Sequence, residues 1–367
     1  MSNQRRVYTK VLKTLKQLMP TQTQGHVVTL AMMVTGIVLG KKAQLTAMST
    51  QVPHLAKDSS IEMRMRRWVK NERIEIEAYF MPFARELLAG LTETTLVLAM
   101  DGSTLGRGCM VLMVGVVYHK RALPLAWVVY KGKKGHAPAE THVAALEAVL
   151  PLIPHGADVV LLGDGEYDSV EMLAWVDTQT DWHVVARTAS DTQVYSDGEW
   201  VSLHELCVPP GGLISLPEVR FTRQAFGPLH VIAWWDKDYD DPLYLVTNLE
   251  LAEEACHFYK RRYRIETLFS DKKSRGFHIN KSHLSEPTRL ARLLIASSLA
   301  YIWMIYLGLS VIQAGCTDLI DRVDRTDKSL FRLGLDWLHH LLKWEKPFSV
   351  QFFVPPYSPL ANLESVR

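Results

Sequence analysis

Four residues with chemistry to offer lie in the stretch HFYKRRYRIETLFSDKK at 257–273: Tyr259, Arg262, Glu266 and Lys273, spaced Y-x2-R-x3-E-x6-K. On one continuous α-helix, at about 100° per residue, these side chains fall within an arc of roughly 60°, a single stripe along about four turns. One carboxylate then stands among a phenol and cations. Lys260, Arg261, Arg264 and Lys272 run between them, which predicts a helix basic nearly all round and suited to a polyanion lying along it. A lone acid in that setting invites a metal or a phosphate. The plain alternative is a solvated helix whose Glu266 pairs with Arg262 at i, i+4, worth about 0.3 kcal/mol.

Two aspartates upstream close apolar runs. TLVLAMDGST reads as a strand ending in Asp101, with Gly102, Ser103 and Thr104 as its exit turn, and DVVLLGDGEYDS as a buried strand closing on Asp164. Either aspartate alone marks a strand-ending turn. With Glu266 they form three hard oxygen donors from separate elements, enough for two Mg²⁺ ions about 3.5–4 Å apart, the arrangement that activates an attacking oxygen and stabilises a departing one at a phosphodiester. Glu166 and Asp168 follow where the chain is already turning away, and Asp158 precedes its strand, so a solvated turn at the opposite edge is expected for it.

The signature and the paired aspartates together resemble the DDE transposases of bacterial insertion sequences, specifically insertion sequence family four, over roughly residues 95–310. The resemblance implies a ribonuclease-H-like core whose first and fourth strands are neighbours, so that Asp101 and Asp164 emerge at one edge and Glu266 joins them from a helix beside the sheet. It implies a catalytic and metal-binding triad of Asp101, Asp164 and Glu266 holding two Mg²⁺, with Mn²⁺ able to substitute. Tyr259 and Arg262 would hold phosphates near the transposon end and Lys273 the same strand, by charge-assisted bonds where the group is cationic. The activity implied is cut-and-paste transposition: binding inverted-repeat ends of double-stranded DNA, cleaving, and joining 3′ ends to a target, in a synaptic homodimer within the bacterial cytoplasm at the nucleoid. If the ends pass through a hairpin, an aromatic must receive a flipped base, and Trp235 is the candidate. A ribonuclease-H-like nuclease without strand transfer and a non-catalytic DNA-binding regulator stay open as other readings.

The elements that must position these residues read as α/β. After the strand ending at Asp101, MVLMVGVVY and LPLAWVVY form a hairpin across the turn HKRA; a helix at 138–150, the Asp164 strand, a helix at 168–177 and the strand WHVVART at 182–188 follow. Five segments result: a helical basic DNA-end-binding domain at 1–90, the first part of the core at 91–188, a β-rich insertion at 189–248 with LYLVTN as its last strand, the second part with the signature helix at 249–312, and a tail at 313–367, helical to about 343. The first segment has helices at 5–19 and 26–40, then an arginine-rich helix capped by Asp58, Ser59 or Ser60 and bearing Arg64, Arg66, Arg67, Lys70 and Arg73. Such a group suits a helix-turn-helix-like reader of DNA. Residues 74–95 read as one connecting helix.

Charge is divided accordingly. The net charge is +2, yet residues 1–73 hold 13 Lys or Arg against 3 Asp or Glu, a balance of +10 that leaves −8 for the remainder. A basic module joined to an acidic body suits nucleic acid on one and metal on the other. Hydrophobic content of 48% excludes a disordered chain. Cys109, Cys207, Cys256 and Cys316 form no CxxC pair, so neither a zinc knuckle nor a disulfide framework is indicated. The amino terminus shows no signal-peptide core. Residues 293–312 hold twenty consecutive uncharged residues, enough to span a bilayer, but three serines after a soluble α/β pattern favour a buried core helix and no membrane partner.

Overall fold

The computed structural model describes residues 1–53, 56–91, 95–135, 137–322 and 327–356. In chain order it runs through α1 (Asn3–Leu18), α2 (Gln24–Gly40), α3 (Leu45–Ser49), α4 (Asp58–Lys70), α5 (Ile76–Tyr79) and α6 (Met81–Ala89). A three-stranded meander follows, β1 (Leu96–Gly106), β2 (Cys109–Tyr118) and β3 (Arg121–Lys131), then α7 (Ala139–Val149), β4 (Val159–Gly163), α8 (Val170–Gln179) and β5 (His183–Thr188). Next come β6 (Gln193–Ser196), β7 (Glu199–Ser202), β8 (Leu213–Phe221), β9 (Phe226–Trp234) and β10 (Leu243–Thr247). The chain then continues through α9 (Ala252–Tyr259), α10 (Arg264–Lys272), α11 (Pro287–Gln313) and α12 (Leu330–Lys343).

All ten strands join one sheet in the order β3-β2-β1-β4-β5-β10-β9-β8-β6-β7. The first and fourth strands are neighbours, paired parallel, and β5 follows β4 parallel. β2 and β3 are almost continuously buried, as Val- and Met-rich runs are when a sheet is covered on both faces. α7, α10 and α11 pack on β3, and Trp127 Nε1 donates to Ala291 O at 3.2 Å to pin β3 to α11. α11 is long and apolar enough to cross a membrane, but 83% of its most apolar window is buried inside the protein.

Several elements depart from the sequence reading. β1 does not stop at Asp101: it continues through Gly106 because β2 supplies an antiparallel partner along that whole stretch, with Asp101 opposite Met113. The hairpin turn is His119 and Lys120 alone, since Arg121 and Ala122 already pair with Tyr118 and Val117. The strands of 189–248 extend the core sheet, and β10 belongs to both parts, bonding β5 on one side and β9 on the other. Residues 74–91 form two short helices, not one, broken at Phe80, whose φ of −133° is not helical, and Thr92, Glu93 and Thr94 lie outside the described residues. α4 is capped by the backbone of Lys57, which leaves Asp58 as its first helical residue. Between α11 and α12 only Thr317–Leu319 is helical, and residues 323–326 and 357–367 of the tail lie outside the described residues.

The largest departure is the signature stretch. It is two helices: α9 ends at Tyr259, α10 begins at Arg264, and the four residues between form tight turns. There the backbone bonds close three residues back, Arg261 N to Phe258 O at 2.8 Å, Arg262 N to Tyr259 O at 2.9 Å and Glu266 N to Tyr263 O at 3.1 Å. Such bonds overwind the chain relative to an α-helix, so Tyr259 and Glu266 stand on separate helices, while Arg262 in the turn still meets Glu266 at 2.6 Å and lies 6.0 Å from the Tyr259 ring.

Candidate active site

β1 and β4 pair from Leu96 with Val159 to Ala99 with Leu162. The paired run ends there: Asp101 lies two residues further along β1 and Asp164 is the first residue past β4, close enough for its charge to act on Asp101. Asp101 is 4% exposed, and its Oδ1 accepts from Gly102 N at 2.7 Å. Burial first, and the charge of Asp164 second, push its carboxyl up from 3.8 to about 6. Asp164 Oδ1 accepts from Glu166 N at 3.2 Å, which closes the turn after β4.

Glu266 faces this edge across Arg262. The guanidinium sets Nη2 2.6 Å from Glu266 Oε1 and Nη1 3.8 Å from Asp164 Oδ2, with side chains 15% exposed for Arg262, 55% for Glu266 and 28% for Asp164. Arg262 Nη1 is buried and has no hydrogen-bond partner among the described residues. Lys273, just past α10, sends Nζ to Ser103 Oγ on β1 at 2.6 Å, two residues beyond Asp101. Burial, then Lys134, lower its pKa, and Asp101 opposes them.

Of the residues singled out from sequence, the fold thus draws together Asp101, Asp164, Arg262, Glu266 and Lys273. Tyr259 adjoins them but is buried, its phenol raised to about 12 by desolvation against the pull of Arg262 and Arg187. Trp235, half-buried just past β9, donates from Nε1 to Tyr239 O at 3.1 Å, and the neighbouring Asp236 holds Lys260 at 2.6 Å, which brings this loop beside the signature turn. The other signature cations do not make an all-round basic surface. Lys260 is taken by Asp236, Arg261 meets His257 Nε2 at 2.8 Å, Arg264 lies over the Tyr263 ring, and Lys272 is fully enclosed.

The cations of α4 are far from this edge in sequence and serve different ends. Arg64 turns inward, Nε donating to Thr29 Oγ1 at 2.9 Å, and Arg66 pairs with Glu62 at 2.6 Å, while Arg67 and Lys70 face solvent. α2, two helices upstream, is buried over most of its length.

Two further residues stand at this edge with no motif in the sequence to mark them. Tyr167 is buried with its ring 4.8 Å from that of His142, and burial, then Asp101, Glu166 and Asp164, raise its phenol. Glycines make its room: a Cβ on Gly163 would stand 2.7 Å from Tyr167 Cβ, and one on Gly102 would stand 3.3 Å from its hydroxyl. GDGEYDS contains that tyrosine, but only the turn after β4 folds it back under both aspartates. Lys134, in the exposed loop after β3, lies near enough to bias both Asp101 and Lys273. The rejected acids have other uses: Glu166 accepts from Ala137 N at 3.2 Å, Asp168 bonds Thr188, and Asp158 accepts from Thr95 Oγ1 at 2.6 Å at the far end of β4.

Among the described residues no three of His, Cys, Asp and Glu stand together as a ready-made metal cluster, because Arg262 separates Glu266 from the aspartates. The donors nevertheless suit a hard divalent cation. All three are carboxylates, and burial first, then the charge of Asp164, raises the Asp101 carboxyl to about 6, a penalty that a bound cation would relieve.

The family described as Transposase DDE domain matches residues 95–303 of the chain. None of the curated proteins matches it in sequence. Among solved structures it is similar to a piggyBac transposase synaptic complex with hairpin DNA, at 9% identity, with a TM-score of 0.47, covering 93% of this chain and 79% of that one. It is also similar to human ENDOV, at 17% identity and a TM-score of 0.28, covering 57% of this chain and 100% of that one.

Proposed function

From the premise that the chain belongs to the Transposase DDE domain family, and so is a DDE transposase of the kind that uses divalent metal ions, we propose that it moves its own element by cutting and pasting. In this reading it is a bacterial insertion-sequence enzyme of family four, with a ribonuclease-H-like core, acting in the cytoplasm at the nucleoid. It binds inverted-repeat ends of double-stranded DNA as a synaptic homodimer, cleaves them and joins the 3′ ends to a target. The observation that carries it is the parallel pairing of β1 with β4, at whose ends Asp101 and Asp164 come within reach of each other's charge, with Glu266 tied to Asp164 through Arg262.

Asp101, Asp164 and Glu266 would hold two Mg²⁺ or Mn²⁺ ions, whose chemistry is to activate the attacking oxygen and stabilise the leaving one. The chain's own residues supply the rest. Lys273, braced on Ser103, presents an ammonium beside Asp101 where a phosphate must lie, and Lys134 adds a second cation from the facing loop. Arg262 neutralises Asp164 and Glu266, the charges a bound metal would otherwise meet, and lies beside Tyr259 where it could contact the DNA backbone. Tyr259 packs under Arg262 and orients it, its ring 6.0 Å from the guanidinium carbon. Trp235 lies beside this turn as the aromatic surface for an unstacked base, and on α4 the exposed Arg67 and Lys70, with Arg64 and Arg66 behind them, hold the phosphates of the terminal repeat.

A supercoiled plasmid carrying the element's two ends, incubated with the protein and Mg²⁺ or Mn²⁺, tests the proposal. Excised and joined products are expected. Nicking that ignores end sequence would point instead to a nuclease, and binding without any cleavage to a regulator.

A further inference from the structure

The buried cation that the site chemistry does not use is Lys272, the last residue of α10 and 0% exposed. Its Nζ donates to Ser297 Oγ at 3.2 Å and Ser298 Oγ at 3.0 Å, two hydroxyls on the buried midsection of α11, and lies 5.8 Å from the Tyr301 ring. Its neighbours pull elsewhere. Asp271 Oδ2 accepts from Arg121 Nη1 of β3 at 3.2 Å in a buried ion pair, and Lys273 reaches Ser103 of β1. Three consecutive residues therefore tie the end of α10 to three different elements.

Packing alone does not call for this arrangement. An ammonium taken out of water into hydroxyl contacts is costly, and a methionine or leucine of similar volume would seat the helix on α11 at less expense. The cost shows in the ammonium itself, which burial pulls down from 10.5 to about 7. What the hydrogen bonds add is direction. α10 has nine residues and starts straight after the overwound turn, so its rotation about its own axis is not inherited from α9. Apolar packing tolerates a small rotation, whereas two hydrogen bonds do not.

We propose that Lys272 is a positioning residue: through Ser297 and Ser298 it sets the rotation of α10, and with it the direction in which Glu266 and Lys273 face the Asp101–Asp164 edge. The inference rests on the reading of those three acids as a metal site. Glu266 lies six residues from Lys272, about 9 Å along the helix, so a rotation at one end is delivered to the other.

The test is Mn²⁺ binding to the full-length protein without DNA, by calorimetry, alongside thermal unfolding and end cleavage. Lys272→Met is expected to fold with nearly unchanged Tm but to bind Mn²⁺ roughly tenfold more weakly, as when a residue orienting a ligand is removed. Lys272→Gln, which can still donate to the hydroxyl pair, is expected to stay close to the parent protein, and the Ser297→Ala/Ser298→Ala double variant to follow Lys272→Met. Unchanged Mn²⁺ affinity in a folded Lys272→Met protein would overturn the inference. So would equal losses in the Met and Gln variants that track a fall in Tm. Should Lys272→Met not fold, the double serine variant decides by the same criterion. Asp101→Asn separates the two levels. If it leaves Mn²⁺ binding intact, the metal-site reading fails and takes the inference with it; if it abolishes binding while Lys272→Met does not, only the positioning role is lost.

Discussion

Asp101 lies on β1 and Asp164 directly follows the neighbouring parallel strand β4, whereas Glu266 stands in the first turn of a short helix and meets the same edge across a guanidinium. In the aspartate half Asp101 is enclosed while Asp164 is partly open, and burial and a like charge raise the Asp101 carboxyl to about 6. The glutamate half is open and neutralised, with more than half of the Glu266 side chain exposed. On the proposed reading, such a site has one wall set by the sheet and one carried on a short helix. The sheet supplies geometry that cannot drift, and the helix pair supplies a carboxylate held by ion pairs that a divalent cation can replace.

The comparison is most exposed to attack at the carboxylates. Asp101→Asn is expected to lower end cleavage by roughly a thousandfold, the several kcal/mol that a catalytic metal contributes, and Glu266→Gln by roughly a hundredfold because the remaining wall still binds one ion. Single-turnover rates on labelled ends measure both, and equal losses would erase the distinction between the walls.

A smaller effect bears on Asp101 in the wall set by the sheet. The folded state holds the Asp101 proton up to about pH 6, while the unfolded chain releases it near 3.8. Stability therefore falls as pH rises from about 4 to about 6 and stays reduced above that. Relief of the shift is on the order of 3 kcal/mol. Metal-free Asp101→Asn should unfold at a higher temperature than the parent at pH 7.5 and at about the same temperature at pH 4, and a rise of equal size at both pH values would remove the titration from the explanation.

Arg262→Ala probes the wall carried on the helix. Without the cation, Asp164 and Glu266 lose their counter-charge, and a loss of about 1–2 kcal/mol is expected, discounted because Glu266 is largely solvated. Added Mn²⁺ should restore most of it. Calorimetric unfolding with and without the ion checks this, and a deficit indifferent to Mn²⁺ would show that Arg262 stabilises the fold rather than standing in for a metal. The mildest expectation lies outside both walls: Arg66→Ala, which breaks an exposed i, i+4 pair with Glu62, should cost about 0.3–0.5 kcal/mol in urea unfolding.

Much of this edge was legible before any coordinates. Asp101 and Asp164 stand out because each follows a short run of buried β-branched and aliphatic residues bounded by turn residues, the pattern of a buried strand. The signature stretch was legible as residues but not as shape. Its apolar and basic periodicity suits one helix, and nothing local in KRRY announces that the backbone tightens there. What accompanies the break is external: Asp236 draws Lys260, Asp164 draws Arg262, and the preceding and following helices pack on different parts of the sheet. The same cause hid Lys272, which by composition belongs to a solvated basic face and by tertiary packing lies inside the protein.

Residue types and their spacing determined, by themselves, that three carboxylates, a phenol and two cations were available for phosphodiester chemistry and that the aspartates would come from strands. Only the tertiary structure decided that β1 runs on past Asp101, that Arg262 turns inward to bridge two acids, and that Lys272 is enclosed. Periodicity records how a segment relates to itself. Register between strands, and the charge a side chain meets across 100 residues of sequence or more, belong to the fold, because they are set by pairs that the chain brings together only when it closes.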